Sequence, residues 1–260
     1  METEDKIKVI IRNSYPYGRN LYFWQKCNAR MENSAINGKK IAANKAVEYV
    51  RNGMTLGLGT GSTAYWAIRG IGDMVKNGLS VRAIATSIQS EELAREMNIP
   101  LVPFTEIDHL DITIDGADEV DPAFNLIKGG GGALLREKIV ASATRFYIII
   151  VDETKLVKQL GRFPLPVEVA PFGWELTERR LTALGCTLAR RMAGDKPFLT
   201  DNQHYILDCS FGTIADPPQL HRQVSDITGV MEDGFFINMA NIVIAGSPSG
   251  GDARVLAKPQ

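Results

Sequence analysis

Four acids fall within seven residues at Asp115-Gly116-Ala117-Asp118-Glu119-Val120-Asp121. Like charges repel and raise one another's pKa, so such a group is either a solvated turn or a site for a metal, sugar hydroxyls or a proton in transit. The nearby Lys128 and the scarcity of histidines favour hydroxyl binding and acid–base work, and no metal is expected. Lys128 opens a second stretch, Lys128-Gly129-Gly130-Gly131-Gly132-Ala133-Leu134-Leu135-Arg136-Glu137-Lys138. Consecutive glycines lose much conformational freedom on folding, which makes sense where the backbone must come close to a ligand; a flexible linker is the alternative. The glycines are expected to open a helix with Glu137 near its first turns. Taken by itself Glu137 reads as part of a solvated helix face. Behind such a loop and beside Lys128, it reads as a general base next to an oxyanion stabiliser.

A third stretch, Gly57-Leu58-Gly59-Thr60-Gly61-Ser62-Thr63-Ala64, fits a turn between strand and helix whose N–H groups and helix dipole would hold an anion. Gly59-x-Gly61-x-x-Ala64 also fits a dinucleotide fingerprint, and a purely structural glycine turn is a further reading. The fingerprint needs an acid at the end of the next strand to hold ribose hydroxyls, and that strand ends Ala85-Thr86-Ser87. The hydroxyls of Ser62 and Thr63 suit a monophosphate better.

The elements that must position these residues follow from periodicity. Ile41, Ala42, Ala46, Val47 and Val50 fall at helical spacing before an Asn52-Gly53 stop. Met54–Leu58 reads as a buried strand, and Ala64, Ala67, Ile68, Ile71 and Val75 mark the next helix. Strands over Val81–Thr86, Asp111–Asp115 and Phe146–Val151 alternate with a helix at about Glu91–Met97 and one after Gly132. Such alternation predicts an α/β fold, a Rossmann-like parallel sheet with helices on both faces. After Lys155 the rhythm changes. Pro164-Leu165-Pro166 precedes an apolar segment, a helix near Glu175–Leu184 and strands around Cys186–Arg190 and His204–Asp208, which predict a smaller inserted α+β domain over 161–233. Asn241–Ala245 then returns as a strand to the first sheet, so residues 34–160 and 234–260 form the larger domain and the insertion walls a cleft. Residues 1–33 crowd Tyr15, Tyr17, Tyr22, Phe23 and Trp24 without periodicity and read as a disordered extension, with Met31 as a candidate start.

Over 260 residues the chain is 45% hydrophobic with a formal net charge of −1, which describes a globular protein and gives nucleic acid or an anionic membrane no call as partner. No apolar run approaches the roughly 20 residues that cross a bilayer. Cys27, Cys186 and Cys209 lie far apart without a C-x-x-C pair, and His109, His204 and His221 show no i, i+4 spacing. Neither a disulfide framework nor a zinc site is signalled, and a cytoplasmic setting is expected.

Together the three stretches closely resemble the type A ribose-5-phosphate isomerase family. The likeness runs in order from about Lys39 through GLGTGSTA, DGADEVD, KGGGGALLREKI, VDETK at 151–155, GRFPLPVEV at 161–169, TDN at 200–202 and ILD at 206–208 to NIVIAGSPSG at the end. It implies interconversion of D-ribose 5-phosphate and D-ribulose 5-phosphate in the non-oxidative pentose phosphate pathway, through a cis-enediolate and without metal or cofactor. By the same resemblance Glu137 is the base, and Lys128 with the Gly129, Gly130 and Gly131 backbone holds the reacting end. Asp115 and Asp118, with Gly116 and Ala117 shaping the turn, bind hydroxyls and assist ring opening. Thr60, Gly61, Ser62 and Thr63 form the phosphate loop, with Lys39, next to Lys40, and Lys155 nearby. Gly132 stands where other members can carry alanine. The resemblance also implies a homodimer or homotetramer. A non-catalytic sugar-phosphate sensor would need an output module, for which no helix-turn-helix or basic patch is evident, and a nicotinamide-dependent oxidoreductase would need the missing acid.

Overall fold

The computed structural model describes residues 38–258; the expected extension over residues 1–33 lies outside them. The larger sheet is built from β1 (Thr55–Leu58), β2 (Arg82–Ala85), β3 (Leu110–Gly116), β6 (Thr144–Asp152), β14 (Ile242–Gly246) and β15 (Arg254–Ala257), in the order β2-β1-β3-β6-β14-β15. The first five strands run parallel, and β15, unforeseen in the sequence, closes the edge antiparallel to β14.

Side chains of β6 alternate between two cores, as the period of a strand requires. Ile148 and Ile150 pack with Leu56, Leu58, Ile112, Ile114 and Ile244 beneath α1 (Gly38–Val47), α2 (Ala64–Lys76) and α3 (Ile88–Glu96). Tyr147, Ile149 and Val151 face the other way, onto Val243, Ala245 and Ala141 of α4 (Leu134–Ser142). Burial on both faces explains why β6 reads as one continuous apolar run rather than an alternating one. Helices therefore lie on both faces, as expected, but the α4 face is shared with a three-stranded antiparallel sheet of β4 (Glu119–Val120), β5 (Leu126–Ile127) and β13 (Phe235–Phe236). These two-residue strands are too short to show a period. α3 begins at Ile88, earlier than the expected Glu91, because Ser87 caps it by accepting the Ser90 N–H at 3.1 Å.

A second, four-stranded antiparallel sheet runs β12 (Val230–Asp233), β7 (Leu165–Val169), β11 (Tyr205–Ser210), β8 (Thr187–Arg190), and a separate short hairpin of β9 (Met192–Ala193) and β10 (Lys196–Pro197) follows β8. Leu165, Val167, Val169, Leu207, Cys209, Leu181 of α5 (Trp174–Thr182) and Val224 of α6 (Pro217–Ser225) share its core. The segment after Pro164, read only as apolar, is thus an inner strand. α6 starts with two prolines behind Asp216, which caps it by accepting the Gln219 N–H at 2.9 Å.

β2 and β3 lie on opposite sides of β1, so the sequence of the large sheet reverses direction between β1 and β3. Connections leave to opposite faces at such a point, and a crevice opens at the carboxyl ends of the two strands. The loop at 59–63 and Asp115 of β3 both lie there.

Candidate active site

Asp115, Lys128 and Glu137 arrive from a strand end, a loop and a helix and meet as a buried charged trio. Lys128 Nζ is 3.0 Å from Asp115 Oδ2 and 3.2 Å from Glu137 Oε2, and it also donates to the Gly116 carbonyl. Asp115 is fully buried. Its Oδ1 accepts the N–H of Thr60 at 3.1 Å and of Gly116 at 2.7 Å, and its Oδ2 accepts the Tyr147 hydroxyl at 3.2 Å. Asp115 is therefore occupied on every side by protein donors. Gly59 is held to glycine by this packing, since a Cβ there would sit 2.2 Å from Asp115 Oδ1.

Glu137 is the unsatisfied member. It stands in the first turn of α4 at 4% exposure, and no hydrogen bond reaches its Oε2, although the Lys128 ammonium lies within ion-pair distance. Burial pushes the Glu137 carboxyl up to about 8; Lys128 pulls it down and Asp115 pushes it further up. Burial works against the charge of Lys128, but the two carboxylates outweigh it and raise its pKa. Tyr147 is held well above its ordinary value by burial and by Asp115, so it stays a neutral donor. Taking such groups out of water costs several kcal/mol per ion, and groups perturbed by both burial and charge concentrate where chemistry is done.

The other acids of the 115–121 cluster separate into distinct tasks. Asp118 Oδ2 accepts the Gly130 N–H at 2.7 Å, which ties this turn to the glycine loop while leaving the side chain partly exposed. Glu119 is buried and clamps another loop by accepting the N–H groups of Gly161 and Phe163, both at 2.8 Å. Asp121 closes its own turn on Ala123 and Asn125. Four acids are affordable here because each meets different donors. Gly116 and Ala117 form the turn between Asp115 and Asp118, with Ala117 packed on the core of the α4 face.

At the loop after β1, Gly61 adopts φ +98° and lies exposed with Ser62 ahead of the thirteen-residue helix α2. Thr63 stands at the N-cap without making a side-chain capping bond; the Tyr65 and Trp66 N–H groups turn back to the Gly61 and Thr63 carbonyls at 2.9 and 3.1 Å, while those of Gly61, Ser62 and Thr63 meet no acceptor among the described residues. Lys39 Nζ donates to Ser62 Oγ at 2.9 Å, whereas Lys40 lies over the Trp66 ring, 5.1 Å from its centre. The two adjacent lysines are thus distinguished by the helix turn. Thr60 points inward: its hydroxyl lies 2.7 Å from Thr86 Oγ1, 2.8 Å from Ser87 Oγ and 3.2 Å from Ser90 Oγ. Hydroxyls thus fill the place where a dinucleotide fold would carry its acid. Lys155 ends the short turn Glu153–Lys155 after β6, at the same edge of the sheet, and meets no acceptor among the described residues.

Several contributors escaped the sequence reading. Tyr147 lies in the apolar run of β6 between Phe146 and Ile148, and its phenol, the one hydroxyl in that run, was the available signal. Phe236 places its ring 5.2 Å from Lys128 Nζ and 5.1 Å from Lys138 Nζ. Arg191, from the segment after β8, reaches the glycine loop through hydrogen bonds to the Gly129 and Gly130 carbonyls at 2.8 and 3.2 Å. Such long-range partners carry no local pattern. No group of three or more potential metal-ligating side chains occurs among the described residues.

Residues 82–250 match the family described as ribose 5-phosphate isomerase A (phosphoriboisomerase A). The chain is 51% identical over 216 residues to ribose-5-phosphate isomerase A of Bacillus mycoides, covering 83% of this chain and 98% of that one. Its fold is similar to a D-ribose-5-phosphate isomerase in complex with phospho-erythronic acid, with TM-score 0.82 and 39% identity over 85% of this chain and 100% of that one. It is likewise similar to ribose 5-phosphate isomerase from Plasmodium falciparum, with TM-score 0.81 and 42% identity over 85% of this chain and 98% of that one.

Proposed function

The chain belongs to the ribose 5-phosphate isomerase A family, aldose–ketose isomerases that interconvert D-ribose 5-phosphate and D-ribulose 5-phosphate, and from that premise we propose that Glu137 is the base that moves the proton. Glu137 takes a proton from C2 of the open-chain aldose. The electron pair shifts to the carbonyl, giving a cis-enediolate. The same carboxyl returns the proton to C1 while the O2 proton passes to O1, which yields the ketose. Lys128 and the N–H groups of the glycine loop meet the charge that develops on the two oxygens. One observation carries this reading: a buried carboxyl on a rigid helix, raised to about 8 and lacking a hydrogen bond at Oε2, beside a buried ammonium.

The remaining residues divide between the ends of the substrate. Asp118, partly exposed, takes the hydroxyl side and assists ring opening. Asp115, occupied by protein donors, acts by fixing Lys128. Backbone N–H groups of Gly61, Ser62 and Thr63 take the phosphate, with Lys39 and Lys155 adding positive charge. The six-stranded unit supplies these groups and the 161–233 unit closes one side. Its support is Arg191 on the glycine loop and Asp201, whose Oδ2 accepts the Ile88 N–H of α3 at 2.8 Å.

Replacing Glu137 with glutamine tests the assignment. A positioned base is worth about 10²–10⁴-fold, so kcat for ribose 5-phosphate is expected to fall by that factor with KM little changed. Near-normal turnover in E137Q would remove Glu137 from the role.

A further inference from the structure

We infer that Arg191, with Asp208 as its anchor, is a positioning residue that aims the Gly131 N–H of the glycine loop at the developing oxyanion. The inference rests on the isomerase reading above and adds to it a residue from outside the three site segments.

The guanidinium divides its donors. Nε donates to Asp208 Oδ2 at 3.0 Å and Nη2 pairs with Asp208 Oδ1, so the carboxylate of β11 grips one edge of the fork. Nη1, on the other edge, is thereby turned toward the loop. It donates to the carbonyls of both Gly129 and Gly130, at 2.8 and 3.2 Å.

A trans peptide points its N–H opposite to its C=O, and no peptide bond in the described chain is cis. The Gly129 carbonyl shares its peptide with the Gly130 N–H, and the Gly130 carbonyl shares its peptide with the Gly131 N–H. One Nη1 drawing both carbonyls the same way therefore sends both N–H groups the opposite way. The Gly130 N–H provides an independent check: it meets Asp118 Oδ2 at 2.7 Å, on the side of the acidic turn. The Gly131 N–H follows it and meets no acceptor among the described residues, so it is available to a substrate oxygen. A charged donor on the carbonyl also polarises the peptide and strengthens the N–H at its far end.

The Gly129–Gly130 peptide is also held by the Gly132 N–H on its carbonyl at 3.0 Å and by Asp118 on its N–H, so the Gly130–Gly131 peptide is the one that depends on Arg191. Gly130 and Gly131 are exposed and carry no side chain to pack. Lysine cannot replace arginine here, because one ammonium on a flexible stem cannot hold a bidentate carboxylate and two carbonyls in one plane.

The test is Arg191→Lys in the full chain, with turnover of ribose 5-phosphate and the dissociation constant of phospho-erythronic acid, whose carboxylate offers paired oxygens to the same N–H groups. If Arg191 aims the loop, R191K melts close to the parent, KM stays within about threefold, and kcat falls about 10²-fold, the scale of one lost oxyanion donor. Affinity for the acid falls with kcat. A folded R191K with parental kcat and acid affinity overturns the inference, as does one that loses KM alone. If R191K does not fold, Asp208→Asn decides: reduced kcat at constant KM upholds it and unchanged kcat refutes it. A parent that fails to isomerise ribose 5-phosphate would sink the isomerase reading itself, whereas an active parent whose R191K variant is also fully active would sink only the role of Arg191.

Discussion

The Glu137 carboxyl holds its proton to about pH 8, and as a base it works only after losing it. The profile of kcat/KM against pH is therefore expected to rise through a midpoint near 8, since that profile reports the free enzyme. A flat profile from pH 6 to 9 would contradict the burial argument. The same shift has a stability consequence of definite sign. Between the ordinary carboxyl value of 4.5 and about 8 the folded chain keeps a proton that the unfolded chain has released, so stability contributed by this group falls as pH rises through that window. E137Q removes the titration. Its melting temperature is expected to exceed the parent's at pH 8, with the gap closing toward pH 5. Tyr147 supports the trio from below, and Tyr147→Phe would leave buried Asp115 short of one donor, a loss of about 1–3 kcal/mol visible in urea unfolding.

At the scale of elements, the glycine loop and the segment following β8 are fitted to each other. Gly132 has φ +83°, and a Cβ there would lie 2.5 Å from Phe198 Cζ. Here Gly132→Ala combines left-handed strain of about 1–3 kcal/mol with a forced shift of the loop, so both melting temperature and kcat are expected to drop. Adding Phe198→Leu should recover part of each, because the contact is relieved and the positive φ is not. The loop after β1 is secured differently, by the Thr60 hydroxyl among Thr86, Ser87 and Ser90 and by the Thr60 N–H on Asp115. One end of the site thus rests on buried hydroxyls and the other on contacts from the small sheet.

Across the whole molecule, most residues assigned to the reaction come from the β1 loop, the end of β3, the β5–α4 loop and α4, gathered where the large sheet reverses its strand order, with Lys39 of α1 and Lys155 after β6 added from its flanks. In the proposed mechanism Lys128 supplies the positive charge at the reacting oxygens and no divalent ion takes part. Activity is expected to survive exhaustive treatment with a chelator; loss restored by a divalent ion would assign the acidic turn a metal. No described helix is long and apolar enough to cross a membrane. Cytoplasmic residence and a homodimeric or homotetrameric state remain proposals, the latter open to sedimentation equilibrium.

Local pattern alone specified the alternating α/β plan, the strand return at Asn241–Ala245 and the three segments proposed to carry chemistry. Each of these is written locally, in a two- or 3.6-residue period or in a contiguous run of glycines and acids. Strand limits came within a few residues, and α3 started early only because Ser87 caps it. Tertiary structure alone decided which acid does what. Asp115, Asp118, Glu119 and Asp121 look alike in one dimension; Asp121 closes only its own turn, whereas donors that distinguish Asp115, Asp118 and Glu119 come from Thr60, Gly130, Gly161 and Phe163, 12 to 55 residues away. It also decided that Lys39 rather than Lys40 reaches Ser62, that Thr60 turns inward, that Tyr147 meets Asp115 and that Arg191 meets the glycine loop. Hydrogen bonds across 32 and 62 residues have no periodic signature, because they depend on where the chain returns rather than on what it locally prefers.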